Sequence, residues 1–474
     1  MYNCRRFRAY PHSGGLWASI GVGMHPIDDG LMVDIQMAGD ATEVHSSPLP
    51  GVDSRPGLGY DELGYKPRRY VLRRAVQFLT GLVGLGIAGM GSLLALVYLL
   101  LAREETDLNL IGFSPVLQTT IAFALAALSV GLGLPLAWTA FRAFARVRSP
   151  TAQLPSPWLF AAAFIVVVAL GQAALPSAVT APVIFPPFQA LASLFPPLLI
   201  LAAVVRPLVR AGVPLSRRDL VLNLASGAFI ATNIAIILEL LAVLVLVIVA
   251  LVVLAVTPGG MEAMEMWAAR LSAPDALSDM AWLQDLARNP WLIAAAGSIL
   301  VIVAPAAEEA LKGMGVLLLG YRRPTRAQAF AWGVAGGAGF ALAEGLFNGA
   351  LGLQSWGFTA VVRAAAAVMH ATGGGLTGLG WQSLLATRRP WRFLGFYFFA
   401  AALHGLWNAA AGGISLIGLR AVGNVDDDLA AVAAGGVAAL LLVALIIAVW
   451  VVAVGILAFW TMRLRREPTL LTKS

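Results

Sequence analysis

Long apolar runs recur along most of this chain and restrict it to one class of fold. Each run supplies the roughly 20 apolar residues that a helix needs to cross about 30 Å of hydrocarbon. A helix is also the form in which an open chain satisfies its backbone hydrogen bonds in lipid. The runs are 76–101, 113–141, 157–175, 186–206, 220–256, 291–319, 328–351, 358–385, 391–416 and 429–462. The sequence therefore predicts an all-α, polytopic transmembrane bundle of about ten spans.

The composition agrees with this class of fold and limits the kinds of partner that the protein is expected to bind. Of the 474 residues, 59% are hydrophobic and only 12% are charged, whereas soluble domains carry roughly one charged residue in four. The net charge of +7 comes from cations in short loops beside the apolar runs. We therefore expect the lipid bilayer as a partner and no nucleic acid. The one cysteine, Cys4, excludes an intramolecular disulfide and a cysteine-based metal site.

The loops between spans alternate in charge. Basic residues cluster in every second loop, at 66–74, 142–148, 206–218, 322–326, 388–392 and 463–466. Cytoplasmic loops carry the excess of Lys and Arg in membrane proteins. We therefore expect an integral protein of the cell membrane with both termini in the cytoplasm.

The chain divides into five regions. Residues 1–70 are rich in Gly, Pro and Asp and are expected to form a disordered cytoplasmic segment. Five spans at 71–256 form an accessory membrane region, and an extracytoplasmic loop follows at 257–290. Four spans at 291–416 are expected to form the catalytic core, and 417–474 holds the final span and a short tail.

Spans six to nine each carry an ionisable side chain. Such a group at mid-bilayer costs roughly 2.5–3.5 kcal/mol on insertion scales, so it is a functional candidate by default. Counting residues from the span ends places the two histidines near the bilayer centre, the paired glutamates of span six somewhat toward the cytoplasm and the glutamate of span seven somewhat toward the outside, so that all could meet in one cavity. The candidates, with two neighbouring amides, are Glu308, Glu309, Lys312, Glu344, Asn348, His370, His404 and Asn408.

Helical spacing predicts which of these side chains meet. Glu308 and Lys312 are four residues apart, so they share a face and are expected to form a structural ion pair. Glu309 points about 100° away and is not expected to need Lys312. His404 and Asn408 also share a face.

The residue types together suit peptide hydrolysis. A carboxylate in an apolar cavity can act as general base toward water, a histidine can shuttle a proton or bind a metal, and an asparagine amide can stabilise an oxyanion. No aspartate lies within a span, which argues against a paired-aspartate protease, and there is no His-Glu-x-x-His run. Each residue alone also has a structural interpretation, as a neutralised pair or a packing histidine. Ionisable side chains in four adjacent helices together favour a functional interpretation over a structural one.

Two further charged residues in the spans are given other roles. Glu239 stands alone in the first five spans, and we expect it to be structural or pore-lining. Arg363 lies near the outer end of its span and is expected to snorkel to the interface.

The motifs resemble the PrsW family of membrane proteases, within the wider superfamily of CAAX-processing and bacteriocin-processing enzymes. The matching stretches are Glu308-Glu309-x-x-Lys312, Phe340-x-x-x-Glu344, His370 and His404-x-x-Trp407-Asn408, in the family's order over about 290–416. CAAX-type relatives have an arginine and a histidine where Lys312 and Glu344 stand here. The resemblance therefore favours PrsW-like cleavage over prenyl-protein processing.

The resemblance implies an intramembrane endopeptidase acting on a membrane-associated protein, such as an anti-sigma factor or a similar regulator. It implies that Glu308 and Glu309 activate water, that His370 and His404 assist, that Glu344 belongs to the site, and that Asn408 stabilises the oxyanion. Related enzymes are described both as glutamate proteases and as metalloproteases. Whether a divalent metal such as zinc binds to Glu309, His370 and His404 therefore stays open.

Two alternatives also stay open. In a proton- or metal-coupled transporter, Glu239 would line a path together with the C-terminal cluster. A catalytically inactive relative would bind membrane proteins without cutting them. A protease predicts that Glu239 is dispensable, whereas a transporter predicts that it is essential.

Overall fold

The computed structural model describes residues 20–27, 30–37, 67–101, 114–177, 179–273, 280–421 and 429–467. These described residues fall into two compact units, one within residues 1–66 and the other within residues 67–474. In the first, β1 (Ile20–Ile27) and β2 (Gly30–Met37) pair antiparallel, with Ile20 opposite Met37. Alternating apolar residues in both strands favour this pairing. The hairpin differs from the disorder expected for 1–70, and so do residues 67–70, which begin the first helix. The rest of that expectation lies outside the described residues.

The second unit is a bundle of α-helices. The helices are α1 (Pro67–Leu101), α2 (Pro115–Phe144), α3 (Pro157–Ala174), α4 (Ala181–Arg210), α5 (Arg217–Ala225), α6 (Thr232–Val256), α7 (Gly260–Leu271), α8 (Met280–Arg288), α9 (Pro290–Ser298), α10 (Ala304–Lys312), α11 (Met314–Leu318), α12 (Arg326–Leu351), α13 (Trp356–Thr387), α14 (Pro390–Ala421) and α15 (Leu429–Leu464). Short π-helical turns at Ser226–Ala231 and Ile299–Val303 join α5 to α6 and α9 to α10. Short 3₁₀ turns lie at Gly320–Arg322 and Leu353–Ser355.

The helices confirm the predicted class of fold. Within the described residues, 9 helical stretches are long and apolar enough to cross a membrane. α13 is the tenth long helix, and its 32 residues lie at the centre of the bundle. The mean hydropathy of α13 is lower than that of the other stretches because this helix carries a glycine run, two threonines and a histidine, namely Thr372, Thr377 and His370. Burial by protein rather than by lipid explains why this helix tolerates lower hydropathy.

Glycines bring α12 and α13 into backbone contact. A Cβ atom on Gly337 would lie 2.1 Å from the carbonyl oxygen of His370. A Cβ on Gly333 would lie equally close, 2.1 Å, to the carbonyl oxygen of Gly374. Small residues allow such close approach of membrane helices. The backbone that carries His370 is thereby fixed against α12.

The long fifth span is one interrupted helical stretch. α5 is packed inside the protein, with Leu220 and Leu224 buried, whereas most of α6 exposes its apolar side chains to lipid. The π turn between them lies against α12, where a Cβ on Gly227 would be 1.8 Å from the carbonyl oxygen of Gly336. α5 and its π turn therefore belong to the interior of the bundle.

The expected loop at 257–290 contains two short helices, α7 and α8. The rings of Trp267 and Trp282 meet edge to face at 6.2 Å. The side chain of Arg420, at the end of α14, donates to the carbonyl oxygen of Ala287 at 2.8 Å. This contact ties α8 to one end of the core.

We predict that Gly337→Ala destabilises the bundle, because the added methyl group would overlap the backbone of α13. Overpacking of this kind costs about 1–3 kcal/mol. Thermal unfolding of the purified protein in detergent would measure the loss. Gly86→Ala is the matched control, because a Cβ there meets nothing within 4 Å. Equal melting temperatures for the two variants would contradict the close α12–α13 contact.

Candidate active site

Four helices bring one buried cluster of charged and polar side chains together. α10 supplies three members, and α12, α13 and α14 supply one each. The members are Glu308, Glu309, Lys312, Glu344, His370 and His404. The sequence prediction that these residues meet in one site agrees with their placement in the structure.

Lys312 lies at the centre of the cluster. Its Nζ lies 2.9 Å from Glu308 Oε2 and 2.6 Å from Glu309 Oε1. It also lies 4.5 Å from the centre of the Phe340 ring, where a cation is attracted to the aromatic face. The prediction that Glu309 does not use Lys312 is wrong. The long lysine side chain reaches Glu309, three positions earlier, as well as Glu308, four positions earlier.

His404 joins α14 to this pair of carboxylates. Its Nδ1 atom lies 3.0 Å from Glu309 Oε1 and 3.7 Å from Glu308 Oε2. The next residue, Gly405, allows α14 to approach α10, since a Cβ there would lie 2.5 Å from the carbonyl oxygen of Val301. The imidazole is therefore held against Glu309 by a close helix contact.

His370 is held from the opposite side. Its Nε2 atom lies 2.7 Å from Glu344 Oε2, and its ring meets the ring of His404 edge to face at 5.0 Å. Its Nδ1 atom is buried, has no hydrogen-bond partner among the described residues, and lies 3.8 Å from Glu308 Oε2. One ring nitrogen is therefore anchored, and the other points toward Glu308.

Glu344 is itself fixed by two neighbours. Arg363 Nη2 lies 2.7 Å from Glu344 Oε2, and Asn348 Nδ2 donates to Glu344 Oε1 at 3.0 Å. The expectation that Arg363 snorkels to the interface is wrong. It lies two helical turns before His370 on the same face of α13, so both side chains reach Glu344. This seven-residue spacing was the signal that the sequence analysis missed.

The donor atoms suit a divalent cation. Ligand atoms of Glu308, His370 and His404 all lie within 4.8 Å of one another. Two imidazoles and a carboxylate form a common zinc ligand set, and the unpartnered Nδ1 of His370 is free to act as a ligand. The Glu344 contact matches the carboxylate that usually orients a metal-binding histidine. These residues therefore fit a metal, with Glu308 in place of the expected ligand Glu309.

Glu309 has a different environment. The residue is fully buried, and its Oε2 atom has no hydrogen-bond partner among the described residues. A Cβ on Gly373 would lie 2.1 Å from that oxygen, so a larger residue there would displace this carboxylate. Glu309 thus has one oxygen bound by Lys312 and His404 and one oxygen free for a proton.

Asn408 lies apart from the cluster. Its amide donates to the carbonyl oxygen of Leu300 at 2.9 Å, in the π turn that precedes α10. A π turn changes the backbone hydrogen bonding of a helix. In this conformation Asn408 supports the turn that positions Glu308 and Glu309.

Glu239 is closer to the cluster than the sequence indicated. α6 packs against α10, and Glu239 is half-buried there between lipid-facing leucines. Its charge interacts with those of Glu308, Glu344 and Lys312. The structural or pore-lining role of Glu239, and its importance for function, stay predictions.

We predict that Lys312→Ala strongly destabilises the protein. The change leaves two buried carboxylates without their cation, and removing one partner of a buried ion pair costs about 3–5 kcal/mol. Thermal unfolding and expression level would measure this loss. The triple variant Glu308→Gln/Glu309→Gln/Lys312→Met removes all three charges and should melt above Lys312→Ala. A Lys312→Ala variant as stable as the wild type would contradict the central role of this ammonium.

The comparison with known protein families agrees with this geometry. A family model described as PrsW family intramembrane metalloprotease matches residues 216–452, which is half of the 474-residue chain. The match is wider than the resemblance over 290–416, because it also includes α5, α6 and part of α15. No curated protein and no solved structure matches the chain. With its membrane-spanning helices and this match, the chain belongs to the PrsW family of intramembrane metalloproteases and is an integral membrane peptidase.

Proposed function

We propose that this chain hydrolyses a peptide bond of a membrane-associated protein, with Glu309 as the general base. The observation that carries the proposal is the hydrogen-bonded network of Lys312, Glu309 and His404 inside the bundle. It combines a carboxylate, a cation that fixes it and an imidazole within hydrogen-bond distance. These are the groups that proton transfer from water requires.

Glu309 takes both proton transfers, and Lys312 and His404 hold it in place. The free Oε2 of Glu309 accepts a proton from the attacking water, while Lys312 holds Oε1 at 2.6 Å. The contact of 3.0 Å between Glu309 Oε1 and His404 Nδ1 orients the carboxylate, so that Oε2 can pass this proton on to the leaving amine. One carboxyl group can thus act first as base and then as acid in the two halves of the reaction.

Glu308, His370 and His404 are the residues that would hold a metal. A bound divalent cation supplies Lewis-acid polarisation of the scissile carbonyl. Lys312 can remain paired with Glu309 when Glu308 becomes a ligand, because its Nζ contacts both carboxylates. Glu344 and Arg363 are positioning residues, since they act through the orientation of the His370 ring.

Asn408 is assigned a supporting role in this mechanism. The sequence suggested oxyanion stabilisation, but the amide is engaged by the carbonyl of Leu300. We assign it instead to the π turn before α10, whose position sets that of Glu308 and Glu309. Oxyanion stabilisation by Asn408 would require this hydrogen bond to break.

The site is closed to water and substrate in this conformation. Glu309 is 0% exposed, whereas the side chain of Glu344 retains 26% exposure. In this proposal, water and a substrate segment reach Glu309 after the helices around α10 separate. The substrate is a membrane-associated protein of the regulatory kind that the resemblance implies. From the basic loops and the positive-inside rule we expect both termini of the protease in the cytoplasm.

We predict that Glu309→Gln abolishes cleavage while the protein stays folded. The amide keeps the shape of the side chain and cannot accept a proton from water, and loss of a general base lowers rates about 10²–10⁴-fold. New protein N-termini should be profiled in cells that express wild type or variant at matched membrane levels. Glu265→Gln, on the exposed surface of α7, makes the same chemical change away from the site.

The profiles separate this proposal from its alternatives. Membrane-protein fragments present with wild type and Glu265→Gln but missing with Glu309→Gln would identify the substrate. Identical profiles with folded, abundant protein would contradict proteolysis. Glu239→Gln distinguishes a protease from a transporter. A protease should keep its cleavage rate within about threefold, because this carboxyl takes no proton in the mechanism. A transporter should lose ion flux in liposomes.

A metal measurement tests the ligand assignment separately. We predict that the purified wild type binds one divalent cation per chain and that Glu344→Gln weakens its affinity about 10–100-fold, as outer-shell changes commonly do. Elemental analysis after dialysis at defined zinc concentrations would measure both. His370→Ala/His404→Ala should bind none, and Glu265→Gln should bind as wild type. Equal metal content in all four proteins would contradict this ligand set.

A further inference from the structure

A groove of about 750 Å³ lies between α13, α14 and α15, away from the buried cluster. It opens at the end of the bundle where α12 and α14 begin and where α13 and α15 end. Three arginines line its rim, namely Arg326, Arg392 and Arg463. Nothing in the proposed hydrolysis uses these residues.

The rim has more positive than negative charge. Arg326 is paired with Glu467 at 2.7 Å. Arg392 and Arg463 form no ion pair with any carboxylate in the described part of the chain. The guanidinium of Arg463 lies over the Trp460 ring at 5.4 Å, which fixes it beside the groove. Two cations therefore remain available for one anionic group.

The wall below the rim is apolar on both sides. On α14, Phe396 and Phe399 lie one and two turns beyond Arg392 on the same face. On α15, Ile456 lies two turns before Arg463, also on the same face. Each helix thus presents a cation at the membrane surface and an apolar surface deeper in the membrane. Seven residues at a rise of 1.5 Å per residue separate the two by about 10 Å.

We propose that this groove binds an anionic phospholipid. Its phosphate and headgroup would pair with Arg392 and Arg463, and its acyl chains would lie along Phe396, Phe399 and Ile456. A soluble phosphate would leave the apolar wall uncovered, and a zwitterionic lipid would bring its own cation to the rim. Basic pockets between helices on the cytoplasmic side are known to accept anionic headgroups, and the basic loops place this rim there.

The test measures lipid binding to the full-length protein in neutral detergent, where no charged membrane surface is present. Native mass spectrometry would titrate dioctanoyl phosphatidylglycerol, dioctanoyl phosphatidylcholine and inorganic phosphate. Arg392→Gln/Arg463→Gln should weaken phosphatidylglycerol binding about 30-fold, since each cation contributes about 1 kcal/mol. The matched control Arg389→Gln/Arg465→Gln removes the same charge outside the groove and should change binding less than threefold.

A second variant tests the groove without changing its charge. Gly395 lies on the groove wall, and a Cβ there meets nothing within 4 Å, so Gly395→Leu fills space without straining the helix. It should displace the acyl chains and weaken phosphatidylglycerol binding at least tenfold while leaving the melting temperature unchanged. Equal losses in the groove and control arginine variants would overturn the site. Binding of phosphatidylcholine or inorganic phosphate as tight as that of phosphatidylglycerol would overturn the assignment of the ligand.

Discussion

The contact of Lys312 with two glutamates governs the architecture of the core. A pair of carboxylates in a membrane interior is tolerable only if a cation neutralises them and hydrogen bonds satisfy their oxygens. Lys312 supplies one positive charge shared by both, because its ammonium lies 2.9 Å from one carboxylate and 2.6 Å from the other, while Glu309 Oε2 keeps no hydrogen-bond partner among the described residues. The surrounding helices must then exclude both lipid and bulk water from α10. α12, α13 and α14 do so, and the glycines of α12 and α13 allow them to approach closely enough.

The same constraint explains how the two histidines differ. His404 lies within hydrogen-bond distance of Glu309 and so belongs to the proton-transfer side of the cluster. His370 is turned toward Glu344, which leaves its Nδ1 aimed at Glu308. Two imidazoles whose rings meet at 5.0 Å thus have separate partners. His404 therefore connects the proposed general base to the candidate ligand set, whereas Glu344 orients His370 within that set.

Much of this arrangement could be predicted from the sequence, because burial in lipid makes each charged residue conspicuous. The spans, the four motif-bearing helices and their meeting point follow from apolar run length and depth. Contacts between helices could not be predicted. The partnership of Arg363 with Glu344, and the engagement of Asn408 by Leu300, depend on helix rotation and on a π turn that hydropathy does not encode. Hydropathy likewise does not indicate which charges act on Glu239, since Glu308, Glu344 and Lys312 come from other helices.

The closed state of the cluster also follows from these energetics. If water reached Glu309 freely, the contacts of Lys312 with both glutamates and the contact of His404 with Glu309 would weaken in the higher dielectric. The closed cluster therefore preserves these contacts, and hydrolysis requires a transient opening. The π turn at Ile299–Val303 is suited to that movement, because it precedes α10 directly and is held by the side chain of Asn408 from α14. A π turn offers the backbone an alternative hydrogen-bond register, and such turns occur often at functional sites. Motion of α10 at this turn would expose Glu309 while Lys312 moves with it, since both lie on the same short helix.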